Sequence, residues 1–218
     1  MPSPSRGLTQ PQRVETSTRK LARAAAELII EKGWEATTAA EIGRRAGYSR
    51  AMVHARYGSK DAVLDAIFMR EYMAQLSPDL DPAANGLQLA LGHLDRIGQL
   101  AADDPELLRA MFVAAFEAVK STSPLRPRSL GQLDVGMQKV KAGLHKGIAD
   151  GSVRPDVDVE CAVNDISAAV YGIAYLWLVL SEGYDLGHEL KSLRERLIRD
   201  YGSEPVRNPA GLRRPRRR

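Results

Sequence analysis

Between Thr38 and Lys60 the sequence packs two helix starts and two helix stops so tightly that few folds accommodate them. Thr38 followed by Glu41 forms a capping box. The hydroxyl and the carboxylate each take a backbone N–H that the first helical turn leaves unpaired. Ile42 and Ala46, four residues apart, share the inner face of that helix. Gly47 suits the φ > 0 position that closes it, where a Cβ would clash. Tyr48 tucks beneath the turn and Ser49 is placed to cap the next helix. Val53 and Tyr57 line the inner stripe of that second helix, and Gly58 ends it. Gly43, having no side chain, lets the second helix cross close over the first. Together these residues predict a helix-turn-helix, a unit whose second helix enters a DNA major groove.

The outward positions of the second helix are Arg50, Ala51, Met52, His54, Ala55 and Arg56. None is acidic, and Arg44 on the first helix joins the same DNA-facing set. An ordinary helical hairpin with a solvated face is the bland alternative. Turn, cap, small residue and basic face falling in one register favour the DNA reader. A supporting helix is expected from Thr16, with Leu21, Ala24, Ala25, Leu28 and Ile29 on one apolar face and Gly33 as its stop. Trp34 is expected to pack beneath the pair.

The remaining chain reads as helices with clear punctuation and no strand pattern. Ser59 is expected to cap a fourth helix burying Val63, Leu64, Ile67, Phe68 and Tyr72. That helix frays toward Pro82, where the domain boundary is set. Further helices are predicted over residues 86–102, 105–119, 129–150, 158–182 and 186–201. Asp104-Pro105 serves as an N-cap with proline at the first helical position. The fold class is therefore all-α, with about nine helices. Residues 1–15 are expected to form a flexible arm and residues 16–76 the DNA-binding domain. Residues 77–201 are expected to form a helical ligand-binding and dimerisation domain, and residues 202–218 a disordered basic tail holding Arg207, Arg213, Arg214, Arg216, Arg217 and Arg218. A net charge of +4 and a pI near 9.3 permit a polyanionic partner without demanding one.

The run from Leu21 through Ala24-Ala25, Leu28-Ile29, Gly33, Thr38, Ile42 and Ala46-Gly47-Tyr48-Ser49 to Ser59-Lys60 resembles the TetR family of bacterial transcriptional repressors, over roughly Thr16 to Leu64. The resemblance implies a homodimer with an N-terminal three-helix DNA-binding domain and a variable ligand-binding domain, released from its operator by an inducer. Carried over by position, Thr38 would contact a phosphate, Arg50, Ala51 and Met52 would occupy the base-reading turn, and Lys60 would hold a phosphate. Where the family usually has tyrosine this chain has His54, which puts one phosphate contact in doubt. Arg56 is positioned to replace it.

For the second half, candidate ligand-lining residues are Leu94, Phe112, Phe116, Met137, His145, Tyr171, Tyr175 and Trp177. Ordinary core is the competing account of each. A ligand meeting them is expected to be small and largely apolar, with one polar group against His145 or a tyrosine hydroxyl. Ala168 and Gly172, four apart, with Leu176 and Val179 and with Leu190, Leu193 and Leu197 of the final helix, are expected to form the dimer interface. No catalytic residue, metal site or cofactor is expected. The four histidines are scattered, Cys161 stands alone, and no P-loop, dinucleotide fingerprint or nucleophile elbow occurs. With no oxidising signature and no signal-peptide pattern at Met1–Gln12, a cytoplasmic location is expected. The function read from all this is a DNA-binding regulator, a repressor released from a palindromic operator by a small effector. The alternative is a helical small-molecule-binding protein or enzyme that no longer binds DNA.

Overall fold

The computed structural model of the chain describes residues 9–59, 62–63, 83–180 and 182–203. Regular structure among them is helical throughout, in eight elements. The helix expected after Ser59 falls mostly outside the described residues, as do Lys60 and the tail from Glu204 onward. Its start is on view. Ser59 Oγ accepts the Ala62 N–H at 3.0 Å, and Val63 is fully buried.

Helix α1 (Gln10–Ala36) begins earlier than the sequence suggested, so residues 10–15 are helical, with their side chains exposed. The Gln12 side chain accepts the Thr9 N–H at 2.8 Å, and Pro11 sits in the first turn, where its missing N–H costs nothing. Leu21, Ala24, Ala25, Leu28 and Ile29 form its buried face. Gly33, at φ +80° and ψ 167°, breaks the helix where expected. Helices α2 (Ala39–Arg45) and α3 (Arg50–Tyr57) follow.

The second unit is built from α4 (Gly86–Asp103), α5 (Pro105–Glu117), α6 (Arg126–Asp150), α7 (Val159–Leu180) and α8 (Leu186–Tyr201). Its organising contact is a crossing of α4 over α6 made by small residues. A Cβ on Gly86 would lie 1.9 Å from the Gly147 nitrogen, and one on Gly143 would lie 2.5 Å from the Ala90 nitrogen. Backbone therefore packs on backbone, and Leu87, Leu91, Leu94, Val140 and Leu144 close around the crossing. The end of α6 also caps the start of α4. Asp150 accepts the Gly86 N–H at 2.8 Å and Ser152 Oγ accepts the Leu87 N–H at 3.1 Å. The Ser152 and Gly86 hydrogen bonds hold the Asp150 carboxyl below its ordinary pKa.

Helix α8 corrects one expectation. Leu190, Leu193 and Leu197 are buried inside the protomer at 3–5% exposure. They face α4 and α7 within the same chain. Their spacing reported a buried stripe, which a helix presents to its own domain as readily as to a partner.

Candidate nucleic-acid interface and effector site

The helix-turn-helix forms as its residues dictate. Thr38 Oγ1 accepts the Glu41 N–H at 3.3 Å while Glu41 Oε2 accepts the Thr38 N–H at 3.0 Å. Gly47 takes φ +81° and Ser49 Oγ accepts the Met52 N–H at 3.1 Å. A Cβ on Gly43 would come within 2.8 Å of Val53 Cγ2, so the close crossing of α2 and α3 requires glycine there. Ile42 and Val53 are fully buried beneath it.

The cations of this unit divide into two groups. Arg45 is bound to α1 by two hydrogen bonds to the Glu31 carboxylate, one of them Nη2 to Oε2 at 2.9 Å. Arg56 also turns inward. Its guanidinium donates to Ser17 Oγ and, at 3.3 Å, to the Val14 carbonyl, clamping α3 onto α1. It was expected to face DNA, but position 56 lies on the flank of α3 nearest α1, where the Ser17 hydroxyl and the Val14 carbonyl come within reach of its guanidinium. Arg50, Ala51 and His54 are exposed, Met52 is half-buried beside them, and Arg44 projects with 78% of its side chain in solvent. These residues make up the accessible polar edge of the unit.

Thr38 is exposed, as a phosphate contact requires. Its hydroxyl proton, however, is donated to Glu41 Oε2 at 2.7 Å, so a phosphate would have to compete with that carboxylate. Glu41 is also paired with Lys32 at 2.7 Å. Lys32 and Thr38 together hold its carboxyl down at about 2.

The residues proposed for a ligand do not all meet. Phe112 and Phe116 of α5 cluster with Tyr171 and Tyr175 of α7. The Phe116 ring lies edge-on to Tyr171 at 6.1 Å and to Tyr175 at 5.8 Å, and Phe112 lies edge-on to Tyr171 at 6.4 Å. Burial pushes the Tyr171 hydroxyl above its ordinary pKa. Trp177 is buried on the same helix, under the Arg109 guanidinium at 4.5 Å. Met137 is half-buried against the core and Leu94 is wholly buried in it. His145 is exposed on α6, and so is excluded as the polar group of an interior site. It falls between buried Leu144 and Gly147 in sequence, but the tight α4 crossing turns the buried arc of α6 away from it.

Two residues escaped the sequence reading. Arg109 shares the α5 face of Phe112 and Phe116 at i, i+3 and i+7, a charge on an otherwise aromatic stripe that could have flagged it. Glu117, at the end of α5, accepts the Trp34 N–H at 2.6 Å, linking the break in α1 to the second domain. No sequence signal identifies a backbone N–H as the partner of a distant carboxylate.

The exposed side of α7 carries Ala168, Gly172, Leu176 and Val179, as expected for an interface, together with Tyr175 and Leu180. By length and composition α7 could cross a membrane, but its other face, including Ala162, Ile166, Val170 and Trp177, is buried on the helical domain. No metal-binding cluster of His, Cys, Asp or Glu occurs among the described residues.

Comparison with known proteins agrees with this architecture. Residues 16–67 match the family described as bacterial regulatory proteins, tetR family. The HTH-type transcriptional repressor KstR2 of Mycolicibacterium smegmatis is 26% identical over 157 residues, covering 65% of this chain and 69% of that protein. Among solved structures, SmeT, repressor of the Stenotrophomonas maltophilia multidrug efflux pump SmeDEF, superposes with a TM-score of 0.69 at 20% identity, covering 92% of this chain and 97% of SmeT. FadR of Bacillus subtilis, solved with stearoyl-CoA, gives 0.67 at 22% identity, covering 83% of this chain and 97% of FadR. The family match covers the helix-turn-helix, the solved structures share the helical fold of the domain behind it, and residues 16–67 are a DNA-binding domain of the TetR family of bacterial regulatory proteins.

Proposed function

We propose that the chain is a homodimeric repressor, acting in the cytoplasm, that occupies a palindromic operator and leaves it when a small, largely apolar effector binds the helical domain. The observation that carries this reading is the outer face of α3. Arg50, Ala51 and His54 stand exposed there with no acidic neighbour on the helix, on a unit braced by its own caps. Arg50 is the base reader of the set, since an arginine in the first turn of such a helix can pair in bidentate fashion with guanine. Arg44 and Lys60 are backbone contacts.

One such helix spans only a few base pairs, so tight binding needs a second copy about one DNA turn away, roughly 34–36 Å. The apolar strip of Ala168, Gly172, Tyr175, Leu176 and Val179 on α7, extended by the 38%-exposed Ile198 of α8, is a surface a twofold partner would cover. Effector binding is assigned to the aromatic cluster between α5 and α7. KstR2 and SmeT are repressors by name, which supports the same sign of control here.

The test is selection of bound sequences from a random DNA pool by the full chain, followed by gel shifts on the enriched site. A palindromic consensus with half-sites one helical turn apart is expected. Enrichment of no sequence, or of a single unrepeated half-site, overturns the reading.

A further inference from the structure

Helices α5 and α7 meet through their side chains. Few backbone positions of the two helices approach each other, and side chains bridge the space between them. At one end the bridge is the Phe112, Phe116, Tyr171 and Tyr175 ring cluster. At the other it is Arg109 lying over the face of Trp177.

Arg109 is half-buried and makes no ion pair or hydrogen bond among the described residues. The acids closest to it in sequence are committed elsewhere. Glu106 pairs with Arg23 at 3.5 Å, and Asp104 accepts the Leu107 N–H of its own helix. Glu117, farther along α5, is turned to Trp34. A guanidinium withdrawn from water normally finds a carboxylate or phosphate, whose oxygens match its planar fork. The π-face of Trp177 satisfies the charge only in part and leaves the N–H edge unmatched.

We propose that Arg109 and Trp177 form the anion-recognising end of the effector site, and that the site takes an amphiphile with a carboxylate or phosphate head and an apolar body. The head engages the guanidinium edge. The body lies along Phe112, Phe116 and Tyr171, whose half-buried rings offer flat apolar surface. This rests on the effector reading above and replaces its polar contact, since His145 faces solvent.

The test is calorimetric titration of the full chain with three eight-carbon probes kept below their micellar range: octanoate, octyl phosphate and 1-octanol. At least one anion is expected to bind tenfold or more tightly than the alcohol, and the better of the two identifies the head group. Arg109→Gln should bring that anion to the affinity of the alcohol. Arg109→Lys, which keeps the charge but loses the fork, should retain part of the preference, and it serves alone if the glutamine variant does not fold. Phe112→Ala should weaken all three probes alike. Absence of binding by any probe, equal binding of alcohol and anions, or a preference that survives Arg109→Gln overturns the proposal. Operator binding is scored separately by gel shift, so a protein that binds DNA but shows no anion preference refutes this inference and leaves the regulator reading standing.

Discussion

Glu117 joins the two halves of the protein through one hydrogen bond, and its contribution can be isolated. The Trp34 N–H lies just past the break at Gly33, where the helical ladder of α1 no longer supplies an acceptor, and Glu117 Oε2 accepts it at 2.6 Å. A hydrogen bond from a backbone amide to a charged acceptor contributes about 1.5–3 kcal/mol, so Glu117→Ala should destabilise the fold by about that amount. The nearby Lys120–Glu35 pair, at 3.2 Å and largely exposed, adds at most about 1 kcal/mol and is screened by salt. Gly33→Ala attacks the same joint from the other side. Its φ of +80° with ψ of 167° is a conformation reserved for glycine, worth about 1–3 kcal/mol of strain in another residue. The added Cβ would also stand 2.0 Å from Glu117 Oε1 and evict the carboxylate. Gly33→Ala should therefore lose both the backbone comfort and the hydrogen bond. The double variant should be no less stable than Gly33→Ala alone, because the bond can be lost only once. Urea unfolding followed by tryptophan fluorescence reads all four proteins. Full additivity of the two substitutions, or a Glu117→Ala cost below about 0.5 kcal/mol, would refute the assignment of this bond as the joint.

The two arginines of α3 should separate by phenotype: Arg50→Ala should cost about 1–3 kcal/mol of operator binding and relax one position per half-site. Arg56→Ala should instead destabilise the fold by about 1 kcal/mol, read as a lower unfolding midpoint, and leave the consensus unchanged in a binding-site selection. Gly172 has open space around it within the protomer, so Gly172→Arg should fold normally, elute as a monomer in light scattering and lose tight operator binding; a wild-type dimer would move the interface elsewhere. Gly143→Leu should prevent the α4–α6 crossing, seen as loss of the cooperative thermal transition, because the new side chain meets the Ala90 backbone. The Glu41 carboxyl is depressed from 4.5 to about 2 by Lys32 and Thr38, so its contribution is complete above pH 4.5 and lost as pH falls toward 2. Glu41→Gln should flatten the acid side of the stability curve over that window, and an unchanged curve would remove Glu41 from the cap.

The helix-turn-helix was legible in the sequence because its determinants are local. A capping box, a φ > 0 glycine and a second cap act within a few residues of one another, so Thr38, Gly47 and Ser49 specify their turns wherever they occur. Gly43 was legible for the same reason, its neighbour Val53 being fixed by the turn between them. The start of α1 was misread because a proline in a first turn looks the same in sequence as a proline in a loose arm, and only the Gln12–Thr9 bond separates them. Side-chain direction was the larger gap. An apolar stripe shows that a helix buries a face, not which surface covers it, so Leu190, Leu193 and Leu197 turned to their own domain while Ala168, Gly172 and Val179 stayed open. Charged residues are less determined still, because long side chains settle on whatever acceptors the fold brings near. Tertiary packing alone sent Arg56 inward to Ser17, set Arg109 over Trp177 and aimed Glu117 at Trp34, contacts that join residues with no relation along the chain.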